Sequence, residues 1–312
     1  MNNDTKADSL PMPPSSFMIQ SHLGAGLAID HWPGERTGIL ALHGLASNAK
    51  TWWPVASRLA ARGHAVATLD MRGHGRSEKV TGPYDFETIC AEVVEVISEL
   101  NRREQGPWTT PLVAGQSWGA NVAMELAWRA DVGICGIVCV DGGTIELSSS
   151  FATWELCSKA LAPPSFDSIT PERMRASLRA RHPDWDGAAI EATMANFDIS
   201  EDSSITARLP RAMHMEILHS LWQQRPSLHY GEVHVPVLLL PVAGRGTPGG
   251  EAKRTAIQAA TAALEKVSVH WFESGDHDVH IQKPDQVAEV MESHFQRNFF
   301  MANAGPGRDV AR

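Results

Sequence analysis

The chain has 312 residues, of which 43% are hydrophobic, enough for one large domain or for a core with an inserted subdomain. The formal net charge is −9, from 36 acidic and 27 basic side chains, and no run is rich in Lys and Arg. This balance argues against a protein that binds nucleic acid or an anionic membrane surface.

The two ends of the chain resemble neither signals nor anchors. Residues 1–15 lack the apolar core of a signal sequence, and no apolar stretch is long enough to span a membrane. We therefore expect a cytoplasmic protein with a disordered N-terminus over residues 1–15 and a flexible tail over residues 301–312. The four cysteines do not have metal-ligand spacing, and Cys135 and Cys139 share one face of an apolar run, so we expect reduced core residues.

Short β-rich runs alternate with helical stretches along most of the chain. The weak run at 17–30 predicts an antiparallel edge hairpin. Strands are predicted at 38–43, 65–70, 112–116, 134–140, 237–242 and 267–272, and helices at 53–62, 86–100, 118–130, 251–264 and 284–299. Continuously apolar strands that alternate with helices predict an α/β fold with a mostly parallel, doubly wound sheet.

The segment 146–230 breaks this alternation. It shows no clear strand, is rich in Trp, Met and His, and contains proline breakers. We interpret it as a helical cap inserted into a core made of residues 16–145 and 231–300. Such an insertion would lie over the C-terminal ends of the strands, where open α/β sheets bind ligands.

Gly115-Gln116-Ser117-Trp118-Gly119 lies between a predicted strand and a predicted helix. A strand, a G-x-S-x-G turn and a helix form a nucleophile elbow, in which a strained turn exposes the serine hydroxyl. The helix N-terminus adds N–H groups and a positive dipole end beside the reacting oxygen. The pattern therefore predicts Ser117 as a nucleophile.

A serine nucleophile needs a base, and the loop after the last strand offers two histidines. His277 is our first candidate because it is nearest to the strand end, and His280 is the second. The Asp and His residues of this loop could instead hold a metal, but no other part of the chain supplies a matching ligand set, so we expect no metal.

The imidazole needs a carboxylate that fixes its tautomer. Asp141 directly follows the strand 134–140, whereas the loop after 237–242 contains no aspartate and leads to Glu251. We favour Asp141, because Glu251 is placed to begin a helix, where a carboxylate is favourable for dipole reasons alone.

The sequence also indicates oxyanion donors and a pocket. Oxyanion N–H donors are expected from Trp118, which follows the nucleophile, and from Leu45 in the turn after the first core strand. The aromatic and Met side chains of the insertion predict an apolar pocket for a bulky group. The residues predicted to line it are His43, Gly44, Trp154, His214 and Trp222.

Four motifs in order resemble the α/β-hydrolase superfamily over about residues 16–300. They are His43-Gly44 with Asn48, the turn Asp70-Met-Arg-Gly-His-Gly-Arg-Ser77, the elbow at Ser117, and Gly275-Asp276-His277. The resemblance implies a triad in the order Ser117, Asp141, His277. The usual acid position of the family is empty here, and Asp141 matches the position used by a branch of the haloalkane dehalogenases. Those enzymes and the related epoxide hydrolases carry an aspartate nucleophile, so Ser117 implies acyl-type hydrolysis.

We therefore expect a serine hydrolase without cofactor that cleaves a carboxylic ester or lactone through an acyl-enzyme. The expected binding partner is its substrate, a small, apolar ester or lactone. The sequence is also compatible with a homodimer. Hydrolysis of an amide, a thioester or a C–C bond, and haloperoxidase or acyltransferase activity, would use the same triad. A non-catalytic, ligand-binding relative is the remaining alternative.

Overall fold

The computed structural model describes residues 13–129, 133–166, 169–201, 204–244 and 248–301. Disorder is predicted for residues 1–15 and 301–312, of which residues 1–12 and 302–312 lie outside these ranges. Ser15, which we assigned to the disordered N-terminus, already begins the first strand.

An eight-stranded sheet forms the centre of the fold, in the spatial order β1-β2-β4-β3-β5-β6-β9-β10. The six strands from β4 to β10 in this order are parallel, whereas β2 is antiparallel to both β1 and β4. The predicted α/β fold and the predicted edge hairpin are confirmed. The ten strands of the structure are β1 (Ser15–Gln20), β2 (Gly26–Trp32), β3 (Arg36–Leu42), β4 (His64–Asp70), β5 (Leu112–Gln116), β6 (Gly136–Val140), β7 (Phe197–Ile199), β8 (Ile205–Ala207), β9 (Val237–Leu240) and β10 (Val267–Val269).

Helices cover both faces of the sheet. α1 and α11 pack with Trp52 on one face, and α2, α3 and α9 pack on the other. None of the helices in the described part of the chain is long and apolar enough to cross a membrane. The helices are α1 (Trp53–Ala60), α2 (Phe86–Arg103), α3 (Trp118–Trp128), α4 (Leu147–Ser150), α5 (Trp154–Leu161), α6 (Pro171–Arg181), α7 (Gly187–Met194), α8 (Arg211–Gln223), α9 (Pro248–Ala263), α10 (Val279–Gln282) and α11 (Pro284–Gln296).

The central strands are apolar on both faces because both faces are covered. Every residue of β5, β6 and β9 is buried. This two-sided burial is the reason why these strands read as continuous apolar runs rather than as alternating ones. Their C-terminal ends lie at one edge of the sheet, where Ser117 and Asp141 follow directly.

In its described residues, the segment between β6 and β9 contains five α-helices, α4 to α8, together with a two-stranded antiparallel hairpin of β7 and β8. Our expectation that this insertion has no strand was wrong. Each of the two strands has only three residues, which is too short to show a two-residue alternation. Met174, Ile190 and Ile205 belong to a separate small core of this segment. The boundaries 146 and 230 remain a prediction.

β5 and α3 approach each other very closely at the turn that joins them. A Cβ at Gly115 would lie 2.1 Å from the carbonyl oxygen of Gly119. A Cβ at Gly119 would lie 2.5 Å from the carbonyl oxygens of Leu42 and His43. Since all these neighbours are backbone atoms, both glycines are required by the packing itself.

We expect Gly119→Ala to lower the free energy of unfolding by about 1–3 kcal/mol, because the added methyl group forces the backbone of β3 and α3 apart. Gly187→Ala is the matched control, since a Cβ there meets no atom within 4 Å. The control should change stability by less than about 0.5 kcal/mol. Urea unfolding of both variants is the measurement, and equal midpoints would contradict the packing argument.

Candidate active site

Ser117 occupies a strained turn between β5 and α3. Its φ is 54° and its ψ is −119°, a conformation that costs a side-chain-bearing residue about 1–3 kcal/mol. The N–H of Ser117 donates to the carbonyl oxygen of Val140 at 2.9 Å, so the turn is attached to the end of β6. The strain and the attachment are those of the nucleophile elbow that the sequence predicts.

The structure brings Asp141 and His277 together. Nδ1 of His277 lies 2.6 Å from Oδ2 of Asp141, which directly follows β6. The His277 side chain is 52% exposed, while that of Asp141 is only 3% exposed. Ser117 and His277 line the same cavity. The imidazole therefore has one nitrogen bound to a buried carboxylate and its ring in the cavity of the candidate nucleophile.

Glu251 and His280, the alternative candidates, lie elsewhere. Glu251 is exposed in the first turn of α9, as expected for a helix start. The ring of His280 is fully buried and packs against Trp52 with a centroid distance of 4.9 Å. Burial lowers the pKa of His280 to about 3, so this ring stays neutral. The structure thus brings Asp141 and His277 into contact with each other, whereas the described side chains of Glu251 and His280 form no hydrogen bond with this pair.

The charges of the pair shift both pKa values. Burial lowers the pKa of His277, but the hydrogen bond and the charge of Asp141 raise it more, so that it lies above its usual value. Asp278 raises the pKa of His277 further, and Lys253 lowers it. Burial raises the pKa of Asp141, but His277 and Lys253 outweigh this effect, so that it lies below its usual value. Asp141 is therefore an anion at neutral pH, and its charge favours the protonated form of His277.

Two further donors bind the other oxygen of Asp141. Nζ of Lys253, on α9, lies 2.6 Å from Oδ1, and the N–H of Val242 donates to the same oxygen at 2.9 Å. Sequence reasoning missed Lys253, because a lysine near the start of a helix usually belongs to a solvated face. The sequence feature that could have identified Lys253 is its position on α9, the helix that follows the loop in which the usual acid of the family is missing.

The candidate oxyanion donors are the N–H groups of Leu45 and Trp118. Neither of them donates a hydrogen bond to any residue that the structure describes. Trp118 is the first residue of α3, where backbone N–H groups have no partner within the helix. The Leu45 turn is also strained, because Ala46 has a φ of 59°.

His43 holds this turn in place instead of lining the cavity. Its Nε2 accepts the N–H of Met71 at 3.0 Å, and its Nδ1 contacts the carbonyl oxygen of Gly44 at 2.8 Å. Burial lowers the pKa of His43 to about 4, so the ring is neutral and carries its proton on Nδ1. His43 is fully buried, so its role is to attach the turn to the segment after β4.

The cavity at Ser117 has a volume of 170 Å³ and differs from the predicted apolar pocket. Gly44 lines it, but Trp154, His214 and Trp222 are not among its lining residues in the described part of the chain. Instead, Trp154 and Trp222 pack against each other within the cap. Six of the lining side chains are polar, in addition to Ser117 and His277: Ser47, Thr51, Gln116, Thr193, Asn196 and Asp278.

The cap residues at the cavity are Trp185, Thr193 and Asn196, and hydrogen bonds fasten this part of the cap to the core. Nδ2 of Asn48 donates to Oδ1 of Asn196 at 2.6 Å. Nε1 of Trp185 donates to Oδ2 of Asp276 at 3.1 Å. His182 contacts the same oxygen at 2.7 Å. Within the described residues, no group of three or more His, Cys, Asp or Glu side chains could hold a metal ion.

Comparison with known proteins gives partial matches to several relatives. The chain is 30% identical over 115 residues to "Epoxide hydrolase B" of Mycobacterium tuberculosis, which covers 36% of this chain and 31% of that relative. It is 28% identical over 108 residues to "Putative non-heme haloperoxidase" of Mycobacterium phage D29, which covers 35% of this chain and 37% of the relative. The matches thus span about a third of the length of these relatives.

Solved structures match over nearly the whole chain. The structure of "E-2-(Acetamidomethylene)succinate Hydrolase" has a TM-score of 0.71 and 20% identity, over 91% of this chain and 99% of that one. The enol-lactonase from Burkholderia xenovorans has a TM-score of 0.63 and 16% identity, over 90% and 100%. At these identities the likeness shows the fold. A model of the alpha/beta hydrolase family matches residues 39–290, more than half of the chain, and the chain therefore belongs to that family.

Proposed function

We propose that this protein is a serine hydrolase that cleaves a small, polar carboxylic ester or lactone through an acyl-enzyme. The observation that carries the proposal is the hydrogen bond of 2.6 Å between Nδ1 of His277 and Oδ2 of Asp141. His277 also lines the same cavity as Ser117, whose backbone is strained. Membership of the alpha/beta hydrolase family supports hydrolysis in general.

In the proposed reaction, Oγ of Ser117 attacks the carbonyl carbon while Nε2 of His277 accepts the hydroxyl proton. Asp141 fixes the tautomer of His277 and stabilises the imidazolium. The N–H groups of Leu45 and Trp118 bind the developing oxyanion. The imidazolium then protonates the leaving alcohol, and a water molecule that gives its proton to His277 releases the acid from Ser117.

The cavity supports a smaller and more polar substrate than the cap composition predicted. Its 170 Å³ is below the range of roughly 300–1,000 Å³ typical of sites for drug-sized ligands. No Lys or Arg side chain is among its described lining residues, whereas Asp278 is. A carboxylate without a lining cation disfavours an anionic substrate, so a neutral ester or lactone fits best.

Epoxide opening, the activity in the name of one relative, is less well supported. The related epoxide hydrolases use an aspartate as nucleophile, and this chain has Ser117 at that position. Hydrolysis of an amide, a thioester or a C–C bond, and acyl transfer, would begin with the same attack by Ser117.

We expect Ser117→Ala to abolish hydrolysis of p-nitrophenyl acetate. Asp141→Asn should lower kcat by about 10⁴-fold, because the amide stabilises the wrong tautomer of His277. Glu251→Gln is the matched control, since Glu251 is exposed and is not among the described residues that line the cavity, and it should have little effect. If Glu251→Gln were the more damaging variant, the assignment of Asp141 would be wrong.

We also expect kcat/KM to fall steeply from p-nitrophenyl acetate to p-nitrophenyl octanoate, because the longer acyl chain exceeds the cavity. Steady-state rates over the series are the measurement. A preference for octanoate would contradict the small, polar site and would restore the apolar pocket predicted from the cap.

The reaction of Ser117 with a fluorophosphonate should depend on pH through His277, which must be neutral to accept the proton. Because the pKa of His277 is raised, the second-order rate should rise with pH to a plateau, with a midpoint above the usual value of about 6.5. Asp278→Asn removes an anion that raises this pKa, so the midpoint should move to lower pH. A midpoint below the usual value in the unmodified protein would contradict the electrostatic argument.

A further inference from the structure

Lys253 contacts the candidate acid from the side opposite to His277. Its Nζ lies 2.6 Å from Oδ1 of Asp141 and 3.2 Å from the carbonyl oxygen of Val242. The carboxylate is 3% exposed and the lysine side chain is 32% exposed. The ammonium group therefore lies at the boundary between the buried carboxylate and the solvent.

The three donors divide the two oxygens of Asp141 between them. Oδ1 receives Lys253 and the N–H of Val242, and Oδ2 receives His277. Lysine loses up to about 2 kcal/mol of rotamer entropy when it is held in one place. A charge-assisted bond to a nearly buried carboxylate offsets this loss. It also leaves Oδ2 as the oxygen that remains for the imidazole.

We propose that Lys253 is a positioning residue of the candidate triad, which holds Oδ1 of Asp141 so that Oδ2 stays directed at Nδ1 of His277. This inference rests on the proposed hydrolase function. The positive charge has a second effect: it offsets part of the negative charge of Asp141 and so limits how strongly the imidazole holds its proton. His277 can then return that proton to the leaving group.

Charged and titratable groups face His277 from several elements. Asp141 follows β6, Lys253 is on α9, and Asp278 is in the same loop as His277. From the cap, His182 pairs with Asp276, which directly precedes His277 in this loop, at 2.7 Å. The buried His280 is neutral. Among the described residues that shift the pKa of His277, Lys253 is thus the cation that opposes the anions Asp141 and Asp278, so its removal should raise that pKa.

The test is the pH dependence of fluorophosphonate labelling of Ser117 in Lys253→Met. Loss of the cation should move the midpoint to higher pH, opposite to the shift expected for Asp278→Asn. Loss of the positioning bond should lower the labelling rate on the plateau by about tenfold, equivalent to roughly 1.4 kcal/mol. Lys253→Arg keeps a cation and should restore the midpoint.

Arg254→Met is the matched control, because Arg254 is the next residue of α9 and lies over the ring of Trp271 at 4.9 Å. It removes one positive charge without touching Asp141, and it should keep the midpoint and the plateau rate of the unmodified protein. A Lys253→Met midpoint and plateau that equal those of Arg254→Met would overturn the proposal.

Chemical rescue separates positioning from a role in folding. Asp141 and Lys253 both line a second cavity of 630 Å³, through which a small amine can reach the space left by the side chain in Lys253→Ala. Ethylammonium chloride should raise the labelling rate of this variant above the rate in sodium chloride of equal ionic strength. A rate that ethylammonium does not raise would assign the lysine to folding alone and overturn the proposal.

The unmodified protein distinguishes the two levels of inference. If Ser117 is not labelled at any pH, the proposed hydrolase function fails. If Ser117 is labelled with a pH-dependent rate and the Lys253 variants behave like the control, only the role of Lys253 fails.

Discussion

A buried carboxylate must be compensated by donors, and Asp141 imposes this requirement on the whole C-terminal half of the core. Its donors come from the end of β9, from α9 and from the loop after β10, the segments that follow the cap. Loss of any one of these donors would leave the buried carboxylate with an unmade hydrogen bond, and this would lower the free energy of unfolding. Asp141 therefore links the histidine loop and α9 to the end of β6, in addition to the backbone pairing of β9 with β6, and it holds the ring of His277.

The other half of the site depends on backbone contact rather than on charge. Gly119 lies against the carbonyl oxygens at the end of β3, so the start of α3 and the Leu45 turn are in contact through main-chain atoms. His43 then fastens that turn to Met71. The candidate nucleophile and the two candidate N–H donors are placed by backbone packing, so they move little when side chains change rotamer. This rigidity is what an oxyanion site needs, since its donors must be oriented before charge develops. The strain at Ser117 is sustained by the buried packing around it.

Much of the core could be predicted from the sequence, because the apolar runs of β5, β6 and β9 and the elbow glycines each have one local physical meaning. Ser117, Asp141 and His277 could be proposed since all three follow strand ends, which parallel topology brings to one edge. Lys253 could not, because the direction of a long side chain depends on the rotation of α9 about its axis. The prediction that cap residues such as Trp154 and Trp222 line the pocket was wrong for a similar reason. Aromatic composition shows that a segment has a core, but it does not show which of its faces meets the sheet, and Trp154 and Trp222 face each other.

The cap of this protein is tied to the loops that carry the candidate catalytic groups. Asn48, which follows the turn of Leu45, binds Asn196, and Asp276, which precedes His277, binds Trp185. Asn196 and Trp185 also line the cavity. A substrate that displaced the cap would also displace the turn of Leu45 and the loop of His277. A substrate that fits the cavity poorly would therefore disturb the positions of the candidate catalytic groups. In the proposed hydrolase, these two hydrogen bonds would couple selection by size to catalysis. An exchange of the cap that keeps Asn196 and Trp185 can change the cavity without losing the positions of the reacting groups.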